Sequence, residues 1–161
     1  MTQWHSQHSP EAGPGARPIL ALCAILLAWA AAAPAQAAES GLKLSDPWIR
    51  MVMPSRPAAG YFTLSNDSAV GRALVGADSP ACGMLMLHQS LNESGVERMA
   101  MVKSVPVPAH GSVKFSPGGF HLMCMSPSAA VAPGHSVAVT LHFADGGAIA
   151  ASFPVRGATG K

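Results

Sequence analysis

Charge, cysteine, internal repeats and helical periodicity are all scarce in this 161-residue chain. Only 11% of its residues are Asp, Glu, Lys or Arg. The basic ones are scattered, which excludes the clustered positive face that nucleic-acid binding needs. Three cysteines, Cys23, Cys82 and Cys124, are too few for a disulfide framework. No segment repeats, which excludes solenoids and propellers. Past residue 38 no stretch keeps a long 3.6-residue apolar period, and no apolar run there is long enough to span a bilayer.

What is present begins with a targeting segment. Arg17 is the only basic residue ahead of an apolar run over 19–33. Pro34-Ala35-Gln36-Ala37 follows, and Ala35-Gln36-Ala37 fits an A-x-A cleavage site. The run is short for a membrane span, which needs about 20 apolar residues. Residues 1–37 therefore read as a signal peptide cut near Ala37 or Ala38, and 38–161 as one exported domain. Cys23 follows Leu22 rather than a small residue, which does not suit a lipoprotein signal. The exported part carries nine Lys and Arg against seven Asp and Glu, a net charge of +2 by subtraction. Cys82 and Cys124 would then meet an oxidising compartment, where a bridge or two buried thiols are both open.

Short β-rich runs separated by Pro and Gly predict an all-β sandwich or barrel. The expected strands are 42–44, 48–52, 58–65, 72–78, 84–90, 96–102, 112–115, 121–125, 136–143 and 148–155. Turn residues sit between them, such as Asn66-Asp67, Asn92 to Gly95, Pro117-Gly118-Gly119 and Asp145-Gly146-Gly147. The tail past Val155 is polar and expected to fray.

Four residues give the chain its chemistry: His88, Met99, His121 and Met123. Two imidazoles and two thioethers suit Cu(I), because thioether sulfur is soft, uncharged and never lost as a proton. The imidazoles add affinity and can support Cu(II) as well. A turn over Asn92 to Gly95 would set His88 directly opposite Met99, with Cβ atoms about 4.5–5.5 Å apart. His121 and Met123 lie at i and i+2 and share a strand face. Leu85, Leu87, Leu122 and Cys124 have the opposite parity and should face the core. Met84, Met86, Met101 and Met125 share the ligands' parity. Met84 and Met101 read as gap fillers, and Met86 and Met125 fit either packing or a soft rim. Met51 and Met53 need no role. His110, His135 and His142 read as surface residues, and His5 and His8 fall within the cleaved segment.

The pattern H-x10-M-x21-H-x-M resembles the signature of the periplasmic copper chaperones called PCu(A)C. Asp46-Pro47-Trp48-Ile49-Arg50 resembles that family's D-x-W-x-R strand. Residues 58–66, Ala-Ala-Gly-Tyr-Phe-Thr-Leu-Ser-Asn, resemble its A-A-x-Y-x-x-L-x-N segment. Pro108-Ala109-His110-Gly111 stands where the family has P-A-G-G, and residues 117–123 resemble its P-G-G-Y-H-L-M. The likeness runs from about Leu42 to Val155. It implies a cupredoxin-like Greek-key fold and Cu(I) held by His88, Met99, His121 and Met123. It also implies delivery to the copper A centre of cytochrome c oxidase, beside Sco-type thiol proteins. Gln89-Ser90 and Glu97 stand where family members often carry further methionines, and the two cysteines lie outside the family pattern.

The sequence thus predicts a non-enzymatic, monomeric copper chaperone of the periplasm. Copper buffering or tolerance is the nearest alternative. A blue-copper electron carrier needs a Cys thiolate with two His and a weak axial Met, and Cys124 has core parity. A copper oxidase or dismutase needs a His-rich open site, and only two His fit as ligands. A metal-free sandwich with a Met-rich interaction face is the remaining reading.

Overall fold

The computed structural model describes residues 41–93 and 95–160. The signal peptide expected over 1–37 lies outside the described residues. Among those residues the chain forms strands and no helix. The strands are β1 (Leu42–Arg50), β2 (Ala58–Asn66), β3 (Arg72–Asp78), β4 (Cys82–Glu93) and β5 (Val96–Met101), then β6 (Val105–Val107), β7 (Gly111–Phe115), β8 (Phe120–Pro127), β9 (Ser136–Phe143) and β10 (Ala148–Arg156).

Two expectations change. The runs 42–44 and 48–52 are one strand, β1, with a register shift between Ser45 and Trp48. Asp46 takes a positive φ of 50° there, so the strand bends without ending. β6 was not expected, because Pro106 divides its two valines. It forms as an edge strand paired only to β3, where a missing N–H costs no ladder bond. Val105 and Val107 are fully buried and anchor it.

The strands run in the order β5-β4-β8-β7-β2-β1-β10-β9-β3-β6. β1 meets β10 in parallel through Ile49–Val155 and Arg50–Arg156, joining the two halves. The halves close as a sandwich of the cupredoxin-like class. Alternation explains the core: Leu85, Leu87, Leu122, Phe62, Leu64 and Phe115 come from one half, and Leu74, Val137, Val139, Leu141 and Phe153 from the other. Phe62 stacks on Phe115 at 4.2 Å between ring centroids and meets the edge of Phe153 at 5.9 Å. Each such ring, fully buried, contributes about 1.5–3 kcal/mol.

Strand β8 is central to the site. It pairs with β4 on one side, and with the start of β2 on the other through Ala58–Cys124, Ala59–Met123 and Gly60–Leu122. Gly60 permits this approach, since a Cβ there would stand 3.2 Å from that of Leu122. The turn before β8 is closed by backbone bonds. Gly119 N–H donates to the Ser116 carbonyl at 3.0 Å, and Ser116 N–H to that of Phe120 at 2.8 Å. Gly118 supplies the positive φ of 80° that the turn needs.

Candidate metal centre

The β4–β8 ladder brings the two imidazoles together. His88 stands directly opposite His121, Met86 opposite Met123, and Met84 opposite Met125. Directly opposed residues share a face. The intervening Leu85, Leu87, Leu122 and Cys124 are buried in the core, as their parity predicts. The two histidine rings are 5.8 Å apart between centroids and nearly perpendicular, at 78°.

The β4–β5 hairpin corrects one expectation. Its last pair is Glu93–Val96, so two residues still connect the strands, but the turn sits one residue later than a pairing of Asn92 with Gly95 would set it. Gly95 holds a φ of +85°, and its N–H donates to Asn92 Oδ1 at 3.1 Å. Such a two-residue turn suits the strand twist. It moves the pairing by two residues: Met101 faces His88, and Met99 faces Ser90. A shift of two preserves parity, so Met99 remains on the histidine face but diagonal to His88, about 7–8 Å away between Cα atoms. Met101, read from sequence as filler, stands directly beside His88 instead. Both side chains are about two-thirds exposed, at 67% and 66%. Gly95, which takes the positive φ a tight turn needs, was the signal for the later turn position.

The nitrogens are set for coordination. His121 is buried, and its Nδ1 lies 3.1 Å from the Gly119 carbonyl. That carbonyl only accepts, so Nδ1 donates to it and Nε2 is the ring nitrogen left outside that bond. His88 Nδ1 is buried with no hydrogen-bond partner. Burial, and then the neighbouring His121 ring, hold the His88 pKa below the ordinary 6.5. His88 is therefore neutral at neutral pH and offers a lone pair.

Harder metals find little here. Among the described residues no three His, Cys, Asp or Glu side chains converge. The thioethers on the same face are soft donors, and two imidazoles with thioethers are a donor set that fits Cu(I). Cys82 and Cys124 form a disulfide, which settles a question the sequence left open. It leaves no thiolate for a blue-copper centre among the described residues. His110 sits in a turn with φ 50°, and His142 pairs with Asp78 on the opposite half. Neither approaches His88 or His121 in the strand pairing.

Comparison with known proteins finds relatives in sequence and in fold. The family model described as "Putative lipoprotein LpqE-like" matches residues 42–155. The protein described as "Putative lipoprotein Lxx21020" of Leifsonia xyli subsp. xyli is 32% identical over 139 residues, 86% of this chain and 82% of that protein. DR1885 of Deinococcus radiodurans, solved in solution with Cu(I), is 30% identical, with a TM-score of 0.59 over 75% of this chain and 83% of that one. The copper-bound PCuAC domain from PmoF2 shares the fold at 20% identity, with a TM-score of 0.61 over 73% of this chain and 93% of that domain.

Proposed function

We infer that this chain, which belongs to the LpqE-like family of the PCu(A)C type, is a copper chaperone that binds Cu(I) through His88, Met99, His121 and Met123. The observation that carries the reading is the direct pairing of His88 with His121, each with a nitrogen lone pair available. Met123 is two residues along the same face from His121, and Met99 reaches in from β5 on a long flexible stem. Four uncharged ligands fill a tetrahedral Cu(I) shell and leave no open position for a substrate, which favours a carrier over an enzyme. The imidazole pair also accommodates Cu(II), more weakly supported by the thioethers.

In this reading the protein is a monomer exported to the periplasm after cleavage near Ala37 or Ala38. It delivers copper to the copper A subunit of a membrane-bound cytochrome c oxidase, alongside a Sco-type thiol protein. Buffering of periplasmic copper uses the same site and differs only in the recipient. The family's description as lipoproteins makes acylation at Cys23 the competing form of export. The intact mass of the mature protein separates them, since a chain starting near Ala38 lacks Cys23 altogether.

The test is an anaerobic Cu(I) titration against a chromophoric chelator. Met99→Ala/Met123→Ala should weaken Cu(I) by at least tenfold while affecting Cu(II) less, because thioethers prefer the softer ion. His88→Ala should weaken both ions. Equal losses of Cu(I) and Cu(II) in the methionine variant would count against thioether ligation. Wild-type binding too weak to compete with the chelator would leave a metal-free β-domain.

A further inference from the structure

Beyond the His-containing site, the same sheet face carries an unused set of soft donors. The chain has nine methionines. Met84, Met86, Met99, Met101, Met123 and Met125 all lie on this face of β4, β5 and β8. Met84 is 58% exposed and Met125 36%, directly opposite one another and two residues further along their strands than the Met86–Met123 pair. Such positions on a solvated sheet face are normally polar, so a row of methionines there is unusual. Neither residue contributes to the hydrophobic core.

We propose that Met84, Met86 and Met125 form a second, thioether-only Cu(I) site beside the histidine site. Opposed Cβ atoms are about 4.5–5.5 Å apart across the ladder, and same-face neighbours on one strand about 7 Å. Each sulfur lies two bonds beyond its Cβ on an unbranched, rotatable stem, so three sulfurs can converge on one ion. Met86 is also the cross-strand neighbour of Met123, a ligand of the first site. The two sites are thus adjacent along one ladder, and an ion can pass between them by exchange of one thioether at a time, with no change of oxidation state.

The disulfide supports the assignment. Cys124 lies between Met123 and Met125, and Cys82 is two residues before Met84. The bridge holds their Cα atoms 5.4 Å apart. Backbone approach is close here as well, since a Cβ on Gly83 would stand 3.1 Å from that of Ser126. The bridge therefore pins the two strand segments that carry Met84 and Met125. A prepositioned donor set binds with less loss of conformational freedom.

The second site uses none of the four residues of the proposed chaperone site, so the two claims fail separately. The experiment is an anaerobic Cu(I) titration of the disulfide-intact protein labelled at its methionine methyl carbons, followed by NMR. Wild type should take two equivalents, one of them shifting the Met84, Met86 and Met125 methyls. Met84→Leu/Met125→Leu, which keeps size and polarity nearly constant, should lose that equivalent and keep the other. His88→Ala/His121→Ala should lose the first equivalent and keep the second. The second should also persist in mild acid, because thioethers do not titrate. A single equivalent in wild type that Met84→Leu/Met125→Leu leaves unchanged would overturn the second site while leaving the chaperone reading intact. A single equivalent in wild type that shifts the Met84, Met86 and Met125 methyls and is kept in His88→Ala/His121→Ala would uphold the second site and overturn the first.

Discussion

Asn66 illustrates how much a single polar side chain fixes in this molecule. It is 1% exposed at the end of β2. Its Nδ2 donates to the Val70 carbonyl at 2.8 Å and to that of Pro108 at 3.1 Å. Its Oδ1 accepts from the Ser68 N–H at 3.1 Å and hydroxyl at 2.7 Å. One amide thus ties the β2–β3 loop to the segment before β7. Asn66→Ala strands several buried groups, each costing about 1–3 kcal/mol. The variant should lose about 2–4 kcal/mol in urea denaturation. A loss under 1 kcal/mol would mean water replaces the amide. The sequence placed Asn66 in a turn; its burial and its partners 42 residues away come only from the folded chain.

At the scale of the element, the β4–β5 hairpin decides which methionine stands nearest the imidazoles. Met101 is directly opposite His88, and Met99 is diagonal to it. With Met99 as the ligand, Met99→Leu should weaken Cu(I) by about tenfold or more, and Met101→Leu by less than about threefold. The reverse order, read by chelator competition, would move the ligand to the directly opposed position. The β9–β10 turn offers a separate test. Gly147 N–H donates to Asp145 Oδ1 at 3.2 Å, and the Arg72 guanidinium pairs with the same carboxylate. The backbone bond first, and the Arg72 contacts after it, hold the Asp145 pKa below the ordinary 3.8. A depressed carboxyl pKa stabilises the fold above 3.8 and loses that contribution as pH falls through the folded value. Asp145→Asn should therefore be less stable than wild type near neutrality. The gap should close well below pH 3.8, as read from denaturation at the two pH values. A gap independent of pH would assign the effect to turn geometry alone.

For the whole molecule, the Cys82–Cys124 bridge is the one covalent link between distant strands among the described residues. It closes a loop of sequence separation 42. Loop entropy gives such a bridge about 4 kcal/mol. Cys82→Ser/Cys124→Ser should lower the urea midpoint correspondingly while retaining the first Cu(I) equivalent, since His88 and His121 lie further along the ladder. Loss of that equivalent in a variant that still folds would make the bridge part of the first site's support.

Most of the architecture was legible from local signals. Alternating apolar residues and Gly- or Pro-bearing turns located nine of the ten strands, with 72–78 and 136–143 matched end to end. Parity alone separated the core-facing Leu85, Leu87, Leu122 and Cys124 from the donor face. β6 escaped because Pro106 argues against a strand, and only burial of Val105 and Val107 against β3 makes one there. The merging of two runs into β1 depended on Asp46 accepting a left-handed backbone, which no periodicity records.

What the sequence determined by itself was the residue chemistry: two imidazoles and a set of thioethers, their faces, and a β-domain to hold them. Those follow from residue type and a period of two, which are local properties. Tertiary structure decided the neighbours. His88 faces His121 because β8 returns beside β4 in this register, a choice set by long-range burial. Met101 faces His88 because the turn closes on Glu93 and Val96 rather than on Asn92 and Gly95. The cysteines bond because the two strands that carry them pack together. Pairing and register depend on which faces exclude water together, and that is a property of the assembled core.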